Sequence, residues 1–153
     1  MNEMIFKKAY ALASAAFKAD EVPVGAVIFN TKTGKIAASA RNRVEEKKSP
    51  LAHAEMLCLK KALKKTGEKR LVGYSLFVTL EPCAMCAGAI AAARLDALYF
   101  GAFDPKSGAI CQGARVFTHP QTHHKIQITG GIHETECGDL LRTFFKNKRK
   151  IKG

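Results

Sequence analysis

The sequence predicts an α/β domain in which a sheet is buried between helices. Two observations carry this. The apolar period switches repeatedly between helix-like and strand-like along the 153 residues. The strand candidates are short apolar runs that alternate with amphipathic helical segments, the pattern of a layered domain with helices on both sheet faces. There is no internal repeat, low-complexity linker or second domain, so residues 1–153 are expected to form one domain.

The elements follow in order. Ile5, Phe6, Ala9, Leu12, Ala13, Ala16 and Phe17 recur at helical spacing and predict a first helix over 3–19. Val24 to Phe29 is an apolar run of β-formers and predicts a strand. Thr31-Lys32-Thr33-Gly34 is a turn, after which Ile36 to Ala40 pairs back. Beyond Pro50, residues 52–66 read as a helix stopped by Gly67. Tyr74 to Leu80 is a strand, Cys83 to Ala93 a helix of small residues, and Ala97 to Gly101 another strand. A Gly-rich loop spans 104–113, and a short strand spans 126–129. The last helix covers 134–148, with Leu140, Leu141, Phe144 and Phe145 as its expected apolar face.

Composition narrows the function. Twenty-five Lys and Arg against thirteen Asp and Glu give a net charge of +12, a field that attracts polyanions such as nucleic acid and also keeps a surface solvated. Five cysteines, an odd number, argue against a disulfide framework and for reduced thiols, some on a metal. No apolar run is long enough to span a bilayer. Lys7 and Lys8 before an Ala-rich stretch faintly imitate a secretion signal, but the helical spacing favours a docked helix and a cytoplasmic protein.

Two motifs carry chemistry. His53-Ala54-Glu55 opens one helix, and Pro82-Cys83-Ala84-Met85-Cys86 opens another directly after a strand. Two cysteines three apart at a helix start can face one ion, and the positive end of the helix favours thiolates. A redox pair or two buried cysteines are the alternatives, and neither has a use for His53 and Glu55. Two Cys and one His make three ligands, which leave the fourth position of a tetrahedral zinc open to water, as in catalytic sites. Glu55, two residues past His53, is close enough to shuttle protons without being a ligand.

The two motifs together resemble the signature of the zinc-dependent cytidine-deaminase superfamily. Within it, the chain is most similar to the bacterial tRNA-specific adenosine deaminases. The likeness runs through Glu21-Val22-Pro23-Val24-Gly25-Ala26-Val27, Arg41-Asn42-Arg43, His53-Ala54-Glu55 and the segment from Thr79 to Ile90. It continues from Phe100 to Ala109 and ends near Leu141 to Lys146. The resemblance implies a three-layer α-β-α cytidine-deaminase-like domain with a central mixed sheet. It implies one zinc ion per chain on His53, Cys83 and Cys86, with Glu55 as catalytic proton shuttle. The reaction it implies is hydrolysis of adenosine to inosine at the wobble position of a tRNA anticodon. Asn42 would hydrogen-bond the target base, and Ala54, Asp104, Lys106, Phe145 and Arg149 would join it in binding the anticodon stem-loop. A homodimer with residues 84–93 near the contact is also implied. The chain departs from the family at His123, where Asn is common, which bears on the RNA contacts of that loop.

Lesser features have plainer readings. His119, His123 and His124 suggest a second metal, but no Cys or carboxylate sits at matched spacing, and contacts to RNA phosphate or water are favoured. Cys58 reads as core packing, while Cys111 and Cys137 have no assigned chemistry. Phe144 and Phe145 are expected to close the core, with stacking on an unpaired base as the alternative. The tail from Lys146 to Lys152 carries five cations, which favours phosphate contact over a frayed end. Two rivals remain: a deaminase of free bases such as cytosine or guanine, and a non-catalytic zinc protein that binds RNA.

Overall fold

Val27, Ile28, Leu76, Phe77 and Val78 retain no exposed surface, so their two strands lie in the middle of the sheet. The computed structural model describes residues 1–152, with side chains through 150. In chain order the elements are α1 (Glu3–Lys18), β1 (Gly25–Asn30), β2 (Ile36–Arg41), α2 (Val44–Lys47), α3 (Ala54–Thr66) and β3 (Tyr74–Leu80). Then come α4 (Ala84–Ala92), β4 (Ala97–Ala102), a 3-10 turn (Val116–Thr118), β5 (Gln127–Thr129) and α5 (Glu134–Lys152).

The sheet order is β2-β1-β3-β4-β5. The hairpin β1–β2 and the pair β1–β3 are antiparallel, while β3, β4 and β5 run parallel, so the sheet is mixed. The parallel half follows from its crossovers: α4 between β3 and β4, and the long loop with the 3-10 turn between β4 and β5, each return the chain to the same end of the sheet. Helices α1 and α5 pack together over β1, β3 and β4, and α3 packs on β1 and β2 with α4 beside it. Gly25 lets α1 approach β1, because a Cβ there would lie 2.0 Å from the Ala9 carbonyl oxygen.

Most predicted elements stand within one or two residues of the expected bounds. The helix expected from 52 starts at Ala54, because His53 is its extended N-cap. Residues 44–47 form one helical turn that no apolar periodicity announces. The last helix continues through Lys152 instead of ending at 148. Its buried face is Cys137, Leu141 and Phe144, whereas Phe145 is 44% exposed and does not close the core. An α5 residue directly after Phe144 is rotated by about 100°, so the two adjacent rings cannot share a face. Cys58 is fully buried, and burial pushes its thiol up to about 12, which suits a packing role.

Candidate active site

Both chemical motifs sit where a strand or loop turns into a helix. His53 is the N-cap of α3 and Cys83 the N-cap of α4, both with extended backbone, and Cys86 lies in the first turn of α4. The two helices pack against each other, so two helix N-termini converge on one spot. Their aligned peptide dipoles favour negative charge there, which suits thiolate ligands.

His53 Nδ1 lies 3.6 Å from Cys83 Sγ and 3.5 Å from Cys86 Sγ. All three ligand atoms fall within 4.8 Å of one another, and no other such group of three forms among the described residues. Zinc–nitrogen and zinc–sulfur bonds of about 2.0 and 2.3 Å at a tetrahedral angle separate N from S by about 3.5 Å. The donor set therefore fits one zinc ion per chain, with a fourth position left over. All five cysteines are free.

The clustered groups shift one another's titration in opposite directions. Cys83 is pulled down to about 4, first by its hydrogen bond with Cys86 and then by that with His53. The same pairing raises Cys86, and burial raises it further. His53 is raised mainly by its contact with Cys83, against the effect of burial. Glu55 is 5% exposed, and burial pushes its carboxyl up to about 7. A carboxyl near neutrality can both take and give a proton at working pH.

A cavity of about 670 Å³ adjoins these groups, and His53, Glu55 and Cys83 line it with Asn42, Ala54 and Asp104. Asn42 is 6% exposed and donates one amide N–H to the Val22 carbonyl at 3.2 Å, which leaves a second N–H for a ligand. Ala54 opens α3, where backbone N–H groups lack intrahelical acceptors. Asp104 Oδ1 accepts from the backbone of Lys106 and Ser107 at 3.1 and 3.0 Å, so one carboxylate oxygen shapes the turn.

Other predicted residues lie elsewhere. Lys106 and Arg149 are outside the cavity lining, and Phe145 lines a separate groove with Phe103, Pro105 and Asp104. Of the tail cations with described side chains, Lys148 lines the cavity, its Nζ 2.6 Å from Asp20 and 5.6 Å from the Phe144 ring centre. The Lys152 side chain lies outside the described residues. In the histidine loop, the His124 Nε2–H donates to the Leu95 carbonyl and His119 Nδ1 accepts from the Gln121 N–H.

Sequence reasoning assigned nothing to two carboxylates that line the cavity, Glu21 and Glu81, which are 1% and 2% exposed. Glu21 accepts from the N–H groups of Glu45 and Glu46 at 2.9 and 2.7 Å, holding the start of α2. Glu81 accepts from Asp104, Ile110 and Cys111 N–H groups and from the Gln112 amide. The available signal was a charged residue beside an apolar strand. Buried charges are rare without partners, and here the partners are backbone N–H groups and one side-chain amide in distant segments.

Comparison with known proteins places the chain in a family. Residues 1–149 match the family model of MafB19-like deaminases. The tRNA-specific adenosine deaminase of Agrobacterium fabrum is 44% identical over 90% of this chain and 89% of its own length. That of Bacillus subtilis is 42% identical over 99% and 92%. A solved chain from structural work on A-to-I editing by tRNA:A34 deaminases superposes with a TM-score of 0.88 at 41% identity, covering 92% of this chain and all of the other. The α-β-α architecture, the mixed sheet and the His-Cys-Cys cluster thus coincide with a likeness spanning most of the sequence, and the chain belongs to the tRNA-specific adenosine deaminases within the MafB19-like deaminase family.

Proposed function

We propose that the protein hydrolyses adenosine to inosine at the wobble position of a tRNA anticodon, using His53, Cys83 and Cys86 as zinc ligands and Glu55 as proton shuttle. The observation that carries the chemistry is a buried carboxyl, pushed up towards neutrality by burial, two residues from the histidine of a three-ligand cluster beside a ligand-sized cavity. When bound, zinc supplies Lewis acidity that makes water nucleophilic near neutral pH.

Glu55 accepts the proton of the water that adds at C6 of the base and passes it to the ring nitrogen. It then carries the second proton to the exocyclic amino group, the C–N bond breaks, and ammonia leaves as the carbonyl of inosine forms. Adenosine and water are consumed, and inosine and ammonia are released. Asn42 and the Ala54 N–H orient the base by hydrogen bonds. The cavity, at about 670 Å³, lies in the range of sites for drug-sized ligands and exceeds what one base fills.

The remaining assignments concern the anticodon stem-loop. Phe145, beside the cavity and 44% exposed, offers a face on which a flanking base stacks. Asp104 and Lys106 shape and charge the adjoining loop, and Arg149 with the other tail cations meets phosphates. In this reading residues 1–153 are one domain, the protein is a cytoplasmic homodimer, and the α4 region lies near the contact. No helix among the described residues is long and apolar enough to cross a membrane.

The net charge of +12 supports a polyanionic substrate over a free base. Glu55 supports an enzyme over a zinc-dependent RNA binder, since a structural site needs no proton shuttle. The deciding experiment incubates the protein with total tRNA and, separately, with adenine, cytosine, guanine and their nucleosides. Inosine in tRNA supports the proposal, and ammonia from a free base alone overturns it.

A further inference from the structure

We propose that Glu81 is a positioning residue: its buried carboxylate holds residues 104–112 as one wall of the cavity and thereby sets how tightly the polynucleotide binds. This rests on the function proposed above.

Glu81 is 2% exposed, and its four hydrogen-bond partners are neutral N–H groups on one loop. Oε1 accepts from the Asp104 N–H at 3.0 Å and the Gln112 side-chain amide at 2.8 Å. Oε2 accepts from Ile110 N–H at 3.1 Å and Cys111 N–H at 2.9 Å. An ionised carboxylate has about four lone-pair sites, and here all four are used. No other acceptor on a side chain of this length could serve four donors at once.

The wall is packed as well as bonded. The Gly108 N–H donates to the Asp104 carbonyl at 2.9 Å, and the Ala109 N–H donates to the Pro82 carbonyl at 2.9 Å. A Cβ on Gly108 would lie 2.6 Å from the Asp104 carbonyl oxygen and 2.6 Å from Glu81 Cδ, so only glycine allows this closeness. Asp104 and Ser107 are where the loop lines the cavity. Glu81 stands two residues before Cys83, so a short stretch of chain sets the distance between wall and metal cluster.

Glu81→Gln keeps the size but replaces one acceptor oxygen by an NH2 group, which then faces two N–H donors. Buried donors without acceptors are costly, so the loop should leave its position. Gly108→Ala drives a methyl group against the Asp104 carbonyl and the Glu81 carboxyl, so it pushes the same wall away from the carboxylate by contact while leaving the chemistry of Glu81 unchanged. Glu81→Asp keeps all four acceptor sites on a shorter arm.

The test compares these three variants with the wild-type protein in zinc content, in kcat and KM for tRNA, and in hydrogen exchange. Glu81→Gln and Gly108→Ala should each raise KM about tenfold, with a smaller change in kcat and zinc retained. Glu81→Asp should recover part of the KM. In Glu81→Gln the amides of Asp104, Ile110 and Cys111 should exchange faster, while α3 and α4 keep their protection. Unchanged exchange at those three amides, or faster exchange with unchanged KM, overturns the proposal. So does loss of zinc with exchange raised throughout, which would make Glu81 a general stability residue. If the wild-type protein forms no inosine in tRNA, the proposed function falls, and the exchange data still decide whether Glu81 holds the wall.

Discussion

His53, Cys83 and Cys86 reach one another from the first residues of two helices, whereas residues 104–112 across the cavity are held by a carboxylate on a distant strand end. The metal corner is made of short local motifs, each aimed by its own helix start. The wall has little regular structure and is tied down by hydrogen bonds spanning 23 to 31 residues of sequence. The two regions border the same cavity yet fail in different ways. Damage to the corner should remove chemistry, and damage to the wall or the tail should weaken binding.

The largest effect is expected at the corner. Cys83→Ser should lose zinc and essentially all activity, with Tm lower by about 5–10 °C, since metal ligation contributes to the folded state. Metal analysis and thermal unfolding check this, and a zinc-loaded, active variant would show that the ligands are misassigned. Glu55→Gln comes next. It should keep zinc and tRNA binding while kcat falls about 10²- to 10⁴-fold, the usual cost of losing a general acid/base. If zinc is lost instead, the carboxylate is a ligand and the division of labour at the corner is wrong.

The wall side predicts smaller numbers of a different kind. Lys148→Ala removes a cation that lines the cavity and pairs with Asp20. It should raise KM for tRNA severalfold and flatten the slope of log K against log salt by about 0.7–0.9, one phosphate contact's share. Binding across a salt series reads this directly, and an unchanged slope would leave Lys148 as a structural partner of Asp20.

The smallest effect tests the frame that both regions share. His133 stacks on Phe6 with centroids 3.7 Å apart and pairs with Glu136 and Glu3, joining α1 to the start of α5. Its pKa is raised, first by Glu136 and then by Glu3, so the charged form is favoured in the folded state. That stabilisation is complete below the ordinary histidine value of about 6.5 and is lost as pH rises through the raised one. Urea midpoints should fall slightly between those values, and His133→Ala should flatten the change. The effect is small because the pair is exposed and salt-screened.

The layered fold and the metal corner were legible because their signals are local. Helical spacing in α1, the apolar runs of β1 and β3, and the two helix-opening motifs each appear within a few residues. Phe145 shows where such reading stops: it follows Phe144 in an apolar pair, but helix rotation turns it outward. Lys106 and Arg149 read as binding residues from the loop and tail, yet Ser107 and Lys148 line the cavity. Which of two neighbours faces a site depends on the orientation of the whole segment, and no single-residue signal carries it.

By itself, the amino-acid sequence determined the alternation of helices and strands and the His53-Cys83-Cys86 group that could hold a metal ion, and it pointed to Glu55 beside them as the shuttle proposed above. A helix start places its first residues through backbone geometry alone, so residue type and spacing suffice there. The tertiary structure decided that Glu21 and Glu81 are buried clamps, that Lys148 crosses to Asp20, and that loop 104–112 becomes a wall. A buried carboxylate is stable only with hydrogen-bond donors around it, and those donors come from segments that meet only when the chain has folded.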